Sequence, residues 1–187
     1  FGSGYQGLSV WKKGNIQNFR ITNGITDNTV TDFLRDSKKR LWAIGDNGIT
    51  EIIDQQPTDS IRFRVFRLNL NNAMDVKLYK AITGPDDRIW IAGSKGIIVF
   101  DGNKFQEYSF NKAFPKAISC NHILKDKNNN IWISTSDYGI FLCTFDEKGN
   151  LQIKRVFNLQ DGLPANTFIS AAIDNENNFW SVSYAGV

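Results

Sequence analysis

Short apolar runs separated by polar turns recur along the whole chain. A β-branched run such as 29–34 (TVTDFL) precedes a turn rich in Asp, Asn and Lys, and a Trp-containing run such as 41–45 (LWAIG) follows it. After a Gly turn comes a third run, such as 97–101 or 140–146, and a Gly-Asn turn leads to a fourth, such as 104–110 or 151–157. Such runs predict strands, and Gly-Asn between them predicts hairpins. No segment keeps a helical period, so almost no helix is predicted.

The pattern repeats around four tryptophans. Trp42, Trp90, Trp132 and Trp180 recur at intervals of 48, 42 and 48 residues, and close the phrases DSKKRLW, GPDDRIW, DKNNNIW and DNENNFW. Each Trp is followed by a Gly and then Ile or Val, at 48–49, 96–97, 139–140 and 186–187. Residues 23–30 (NGITDNTV) align without a gap to 161–168 (DGLPANTF), counting back from Asp36 and Asp174. The chain therefore contains several copies of one structural unit.

Four antiparallel strands repeated every 40-odd residues predict an all-β fold made of β-propeller blades. Stacked blades bury both faces of each sheet, and the Trp is expected to fill the gap between neighbours. The chain reads as one partial propeller domain, 1–187, divided into 1–22 (the end of a blade), 23–70, 71–112, 113–160 and 161–187 (the start of a blade). A fragment of a larger ring, of about seven blades, is the favoured interpretation. The alternative is a four-bladed ring in which the two partial blades combine.

Composition and charge exclude several classes of protein. Aromatic residues make up 13% of the chain, which is typical of a globular protein. The net charge is +3 and the charged residues are scattered. The longest basic cluster, Lys38-Lys39-Arg40, is interpreted as a solvated turn, so no nucleic-acid partner is expected. No apolar run approaches the roughly 20 residues of a membrane span, and no signal peptide begins the chain, whose ends are expected to be cuts through a larger protein. One histidine and two cysteines leave no zinc or haem site, so neither metal nor cofactor is expected. Cys120 and Cys143 read as free thiols, with a disulfide left open.

The phrase at 161–187 (DGLPANTFISAAIDNENNFWSVSYAGV) and its weaker copy at 23–49 resemble the two-component regulator propeller repeat. The resemblance covers nearly the whole chain but is weak around Trp90, where Gly-Leu-Pro and Asn-Thr are both missing. It implies the extracytoplasmic, periplasmic sensor region of a Bacteroides-type hybrid two-component protein, with a membrane helix, histidine kinase and regulator in segments absent from this chain. It further implies an oligosaccharide or other small ligand and self-association of sensor regions.

Candidate ligand-binding residues lie in the loops expected at one end of the blades. A sugar-binding site needs planar aromatic rings and hydrogen-bonding side chains. The candidates in these loops are Asp46, Asn47, Lys95, Asp137, Tyr138 and Tyr184. For Tyr138 and Tyr184, ordinary turn or inter-blade packing is preferred over ligand contact. For Asn28 and Asn166, a role in satisfying turn backbone is preferred.

A second set occupies equivalent positions in the innermost strands: Asp32, Lys80, His122 and Ser170. These residues are expected to form a polar ring along the channel, with Asp32 and Lys80 paired across adjacent blades. His122 is then a candidate pH sensor or ligand contact, although mutually satisfied core polar groups are the simpler interpretation.

Enzyme interpretations find little support in the sequence. It has no Gly-x-Ser-x-Gly, phosphate loop or metal cluster, so no catalytic residue is assigned. Two alternatives to sensing remain. One is a propeller of the streptogramin-lyase type, for which His122 is the candidate base, and the other is a protein-interaction propeller.

Overall fold

The chain folds into sixteen short strands in the part that the structure, a computed structural model, describes: residues 1–55, 60–70, 76–85, 87–108 and 118–186. The strands are β1 (Leu8–Lys12), β2 (Asn15–Phe19), β3 (Val30–Arg35), β4 (Leu41–Gly45), β5 (Gly48–Gln55), β6 (Ser60–Arg67), β7 (Leu78–Thr83), β8 (Ile89–Gly93), β9 (Gly96–Phe100), β10 (Phe105–Tyr108), β11 (Cys120–Lys125), β12 (Ile131–Thr135), β13 (Ile140–Phe145), β14 (Leu151–Phe157), β15 (Phe168–Ile173) and β16 (Phe179–Ser183). Two 3-10 helices, Ile21–Asn23 and Leu159–Asp161, are the helical elements of the described residues.

These strands form three complete blades and two hairpins. The blades are the antiparallel sheets β3–β6, β7–β10 and β11–β14, and the hairpins are β1–β2 and β15–β16. The first strands of successive units lie side by side, β3 with β7, β7 with β11 and β11 with β15, as they do around a propeller axis. The all-β blade prediction is confirmed. The two hairpins remain separate sheets in the described residues, so no composite blade forms. The blade boundaries within 1–187 stay a prediction.

The strands of the middle blade are apolar on both faces because neighbouring blades cover both faces. Every residue of β8 and β9 is buried, whereas β16 alternates between partly buried and exposed positions. A sheet covered on both sides reads as a continuous apolar run, and a sheet covered on one side alternates. The predicted strand 104–110 is described only as far as Tyr108, and residues 109 and 110 lie outside the described part.

The recurring tryptophans join each blade to the next. Trp42 and Trp90 are 0% exposed. Trp42 lies 5.9 Å from Phe100 and Trp90 lies 4.9 Å from Phe145, measured between ring centroids, and both phenylalanines belong to the following blade. Trp180, in the last hairpin, is 54% exposed. Trp42 and Trp90 therefore fill the gap between neighbouring sheets, as expected.

An aspartate six residues before the Trp fixes both the polar turn and the indole. Asp36, Asp126 and Asp174 each accept a bond from the indole Nε1 of Trp42, Trp132 and Trp180, at 3.0, 3.0 and 2.8 Å. Each carboxylate also accepts a backbone N–H from the end of its turn. The bonds from Trp180 and Asn178 lower the pKa of Asp174 to about 2. The aspartate column is structural, as expected.

The middle blade lacks this aspartate, since Gly84 stands in its place. One backbone bond of the turn is kept: Gly84 N donates to Arg88 O at 2.9 Å, as Asp36 N does to Arg40 O at 3.0 Å. Trp90 Nε1 is buried and has no hydrogen-bond partner among the described residues. Gly84→Asp is expected to stabilise the chain by about 1 kcal/mol, because it supplies the missing acceptor. Urea unfolding of Gly84→Asp beside Gly84→Ala tests this, and equal stabilities would contradict it.

Candidate functional site

Two kinds of loop meet at one end of the blades. One kind joins the second strand to the third, and the other joins the last strand to the next blade. Leu68 N donates to Asn47 O at 2.8 Å, Lys77 N to Ser94 Oγ at 2.9 Å, and Gly139 N to Asn166 O at 2.8 Å. These bonds hold the two kinds of loop together on one face of the three complete blades.

The repeated phrase forms the same turn twice. The 3-10 helices Ile21–Asn23 and Leu159–Asp161 each end at a left-handed glycine, Gly24 with φ 96° and Gly162 with φ 95°. Asn28 Oδ1 accepts the N–H of Ile21 at 2.8 Å, and Asn166 Oδ1 accepts that of Leu159 at 3.1 Å. These two asparagines hold the turn, as the sequence indicated.

A groove of about 390 Å³ lies on this face beside the third complete blade. Its lining comes from the β12–β13 loop, the end of β14 and the following turn: Asp137, Tyr138, Val156, Asn158, Leu159, Gln160 and Asn166. Tyr138 is 40% exposed and Leu159 is 55% exposed. Hydrogen bonds from backbone N–H groups to side chains hold the loops on both sides of the groove. Tyr138 N donates to Thr135 Oγ1 at 3.0 Å, and Gln160 N donates to Asn158 Oδ1 at 2.8 Å. We call this feature the Tyr138 groove.

The Tyr138 groove combines an aromatic ring with several hydrogen-bonding groups. Asn158 and Asn166 accept backbone N–H groups through Oδ1, so their Nδ2 groups supply the amide donors of this lining. Asp137 supplies acceptors, and Gln160 supplies both an acceptor and a donor. Asp137 is also the one carboxylate in the described lining, which includes no Lys, Arg or His. This chemistry suits a neutral, hydroxyl-rich ligand with one apolar face.

The structure brings Asp137 and Tyr138 together in this groove and places the other candidates elsewhere on the face. Asn47 Nδ2 donates to Asp27 Oδ2. Burial and the Asp27 carboxylate raise the pKa of Asp46. Lys95 follows β8, and Tyr184, after β16, is 89% exposed. The groove residues Val156, Asn158, Leu159 and Gln160 were not predicted, because they do not repeat between blades. The NLQDG stretch (158–162), with its capping Asn and Asp, could have indicated the turn.

The polar ring positions lie in the innermost strands, each just after a β-bulge. The pairing register shifts between Val30 and Asp32, Leu78 and Lys80, Cys120 and His122, and Phe168 and Ser170. Lys80 Nζ lies 2.7 Å from Asp32 Oδ1, the contact expected between adjacent blades, and Ala81 N donates to Asp32 Oδ2 at 3.0 Å. Ser170, in the last hairpin, is exposed. Bulges re-aim side chains, and here they recur at one level of the innermost strands.

His122 is the least satisfied member of this set. Its Nδ1 is buried and has no hydrogen-bond partner in the described part of the chain, and the same holds for Oγ of Ser134, its cross-strand neighbour. Burial, and then the Lys80 ammonium, lower the pKa of His122 to about 4, against an opposing effect of Asp32. The imidazole is therefore neutral at pH 7.

The depressed pKa predicts a specific loss of stability in weak acid. An unfolded histidine takes up its proton near pH 6.5 and folded His122 only near pH 4, so below 6.5 the unfolded state binds more protons. Between pH 7 and 5 the free energy of unfolding is expected to fall by on the order of 1 kcal/mol, allowing for solvent screening. His122→Gln removes the only histidine, so its stability should stay level over this interval in urea titrations. A parallel decline in both proteins would contradict the assignment.

The thiols and acids form no further site in the described residues. Cys120 and Cys143 are free and buried, and burial raises the pKa of each thiol to about 12. No group of three or more metal-ligating side chains occurs among the described residues. No helix in the described part of the chain has the length and apolarity of a membrane span.

The sequence also matches a known repeat. Residues 115–137, a segment that includes β11 and β12, match the model of the two component regulator propeller family. This segment is similar to one repeat of that family. No curated protein sequence matches the chain.

Solved structures with the same fold come from proteins of several kinds. PorZ, an essential surface component of the type-IX secretion system of Porphyromonas gingivalis, has a TM-score of 0.73 at 13% identity, over 99% of this chain and 29% of that one. The extracellular domain assigned to the hybrid two component system BT3049 of B. thetaiotaomicron has a TM-score of 0.69 at 18% identity, over 97% and 24%. Virginiamycin B lyase from Staphylococcus aureus has a TM-score of 0.63 at 17% identity, over 96% and 60%. The chain spans less than a third of PorZ and BT3049, and likeness at these identities establishes the propeller fold.

Proposed function

We propose that this chain is part of the ligand-sensing, extracytoplasmic propeller of a hybrid two-component sensor and that its ligand is a neutral oligosaccharide. The observation that carries the proposal is the Tyr138 groove, where a half-exposed aromatic ring stands beside amide donors and a carboxylate. The two component regulator repeat and the fold shared with an extracellular sensor domain support it. The chain is then periplasmic, and its ligand biases how paired sensor regions sit together and so the activity of a histidine kinase.

The groove favours neutral sugars over acidic ones. A pyranose ring stacks its apolar face on Tyr138 while its hydroxyls bind Asp137, Asn158 and Gln160. The carboxylate of Asp137 repels uronic acid and sulfate groups, and the described lining holds no cation to offset it. The affinity is therefore expected to differ between neutral sugars whose hydroxyl groups point in different directions, and to depend only weakly on salt concentration.

The test is a panel of neutral and acidic oligosaccharides, screened by thermal shift and followed by calorimetry. Tyr138→Ala is expected to weaken binding of a neutral hit at least about tenfold, because it removes the stacking surface. Its backbone bond to Thr135 does not need the ring, so folding is expected to be kept. Tyr5→Ala is the control, since Tyr5 is 86% exposed in the corresponding loop before Gly7 and outside the groove. Equal binding by both variants would contradict the site, and a panel without hits would favour a protein-interaction propeller.

A lyase of the streptogramin type is the second candidate, because His122 Nδ1 is neutral, buried and unpaired among the described residues. Turnover of a streptogramin by this chain, abolished in His122→Gln, would support it. An absence of turnover would remove it.

A further inference from the structure

The bulge in each innermost strand leaves one residue outside the pairing register. These residues are Thr31, Tyr79, Asn121 and Ile169. The bulge recurs but the side chain differs, so this position can take a role that is specific to one blade. In the first complete blade, Thr31 Oγ1 donates to Ile44 O at 3.2 Å, and both residues belong to that blade.

Asn121, the bulge residue of the third complete blade, makes hydrogen bonds to three segments. Its Oδ1 accepts the hydroxyls of Ser119 at 3.1 Å and Ser136 at 3.2 Å. Its Nδ2 donates to Phe168 O at 2.7 Å. Ser119 directly precedes β11, Ser136 begins the β12–β13 loop, and Phe168 begins β15 of the last hairpin. One half-buried amide therefore links two neighbouring units.

Two of these three segments continue into the two walls of the Tyr138 groove. On one side, Tyr138 follows Ser136 by two residues in the β12–β13 loop. On the other side, Asn166 precedes Phe168 by two residues. Gly139 N donates to Asn166 O at 2.8 Å, so the two walls also meet through the backbone.

The Asn121 amide adds something that the direct contacts between the walls do not. The Thr167 hydroxyl donates to Ser136 O and joins the two segments to each other. Asn121 bonds each segment to β11, so the position of one strand sets the separation of the walls. Walls that are held in place favour tight binding, because less motion is lost when a ligand enters.

We infer that Asn121 is a positioning residue of the Tyr138 groove and fixes the separation of its walls. Asn121 is not part of the described lining and acts through Ser136 and the carbonyl of Phe168. An asparagine suits this position because its side chain accepts bonds at Oδ1 and donates them at Nδ2. The effect on ligand binding rests on the proposed function, whereas the effect on the walls does not.

The test is Asn121→Asp, which keeps the size of the side chain and its acceptors. The carboxylate cannot donate to Phe168 O and places a second acceptor against that carbonyl. The readout without ligand is hydrogen exchange of the Gly139 amide, which bonds one wall to the other. This amide is expected to exchange at least about tenfold faster in the variant, because the walls open more often.

Two controls separate positioning from a general loss of stability. Leu68 N donates to Asn47 O at 2.8 Å between loops of the first complete blade, so its exchange should not change in Asn121→Asp. Thr31→Val removes the hydroxyl bond of the equivalent bulge residue and should leave the exchange of Gly139 unchanged. Equal acceleration of both amides in Asn121→Asp would overturn the inference, because a merely structural role would affect both.

A second, milder variant and a binding measurement complete the test. Ser136→Ala removes one bond of Asn121 and should also accelerate the exchange of Gly139. A neutral oligosaccharide that binds the unsubstituted chain is expected to bind Asn121→Asp at least about tenfold more weakly by calorimetry. Unchanged exchange in both variants, or an unchanged affinity for such a ligand, would overturn the inference. Faster exchange in a chain that binds no sugar supports it and counts against the oligosaccharide proposal alone.

Discussion

Trp42→Ala is expected to lower the free energy of unfolding by about 3–5 kcal/mol, whereas Trp180→Ala lowers it by about 1 kcal/mol. Trp42 is 0% exposed and contacts the rings of Phe66 at 5.7 Å and Phe100 at 5.9 Å, so its removal leaves a cavity between two blades. Trp180 is 54% exposed and leaves no enclosed cavity.

The pair is matched because both indoles make the same hydrogen bond. Trp42 Nε1 donates to Asp36 and Trp180 Nε1 donates to Asp174, so both variants lose that bond. The difference between them measures the packing between blades. Urea unfolding followed by circular dichroism gives both values, and similar losses would show that the hydrogen bond, rather than the packing, is the main contribution.

The fold could be predicted from the sequence because its determinants repeat. The Trp strand 41–45 and the outer strand 151–157 coincide with β4 and β14, since each is bounded by residues that end strands. The first strand of the first complete blade, β3, begins at Val30, one residue later than the predicted strand 29–34. Thr29 belongs to the turn, where its N–H donates to Asp27 and its hydroxyl to Gly4 O.

The Tyr138 groove was only partly predictable, because its residues differ between blades. Comparing blades finds positions that are alike, and these are the structural ones: the Asp, the Trp and the Gly. Leu159 and Gln160 gain significance only when the turn after β14 brings them beside Tyr138. The Asp32–Lys80 pair followed from the repeat register, whereas the lack of a partner for His122 Nδ1 among the described residues is specific to one blade and is not indicated by the repeat.

Gly139→Ala is expected to destabilise the chain by about 3 kcal/mol or more. Gly139 directly precedes β13 and has a φ of 77°, and a Cβ there would overlap the carbonyl oxygen of Phe157 on the neighbouring strand. Gly7 and Gly48 stand against Phe19 and Phe66 in the same way. At these three positions the glycine thus allows the last strand of the sheet to close onto the strand that follows the glycine.

The matched control is Gly162→Ala. Gly162 has a comparable φ of 95°, but a Cβ there meets no atom within 4 Å, so only the left-handed backbone is penalised, by about 1–2 kcal/mol. Because Gly139 N also donates to Asn166 O at 2.8 Å, a displaced β13 would open the Tyr138 groove from one side. Gly139→Ala should therefore lose both stability and the proposed oligosaccharide binding, whereas Gly162→Ala loses a smaller part of its stability. Unfolding and calorimetry of the two variants give this comparison, and equal losses would assign the whole effect to backbone conformation.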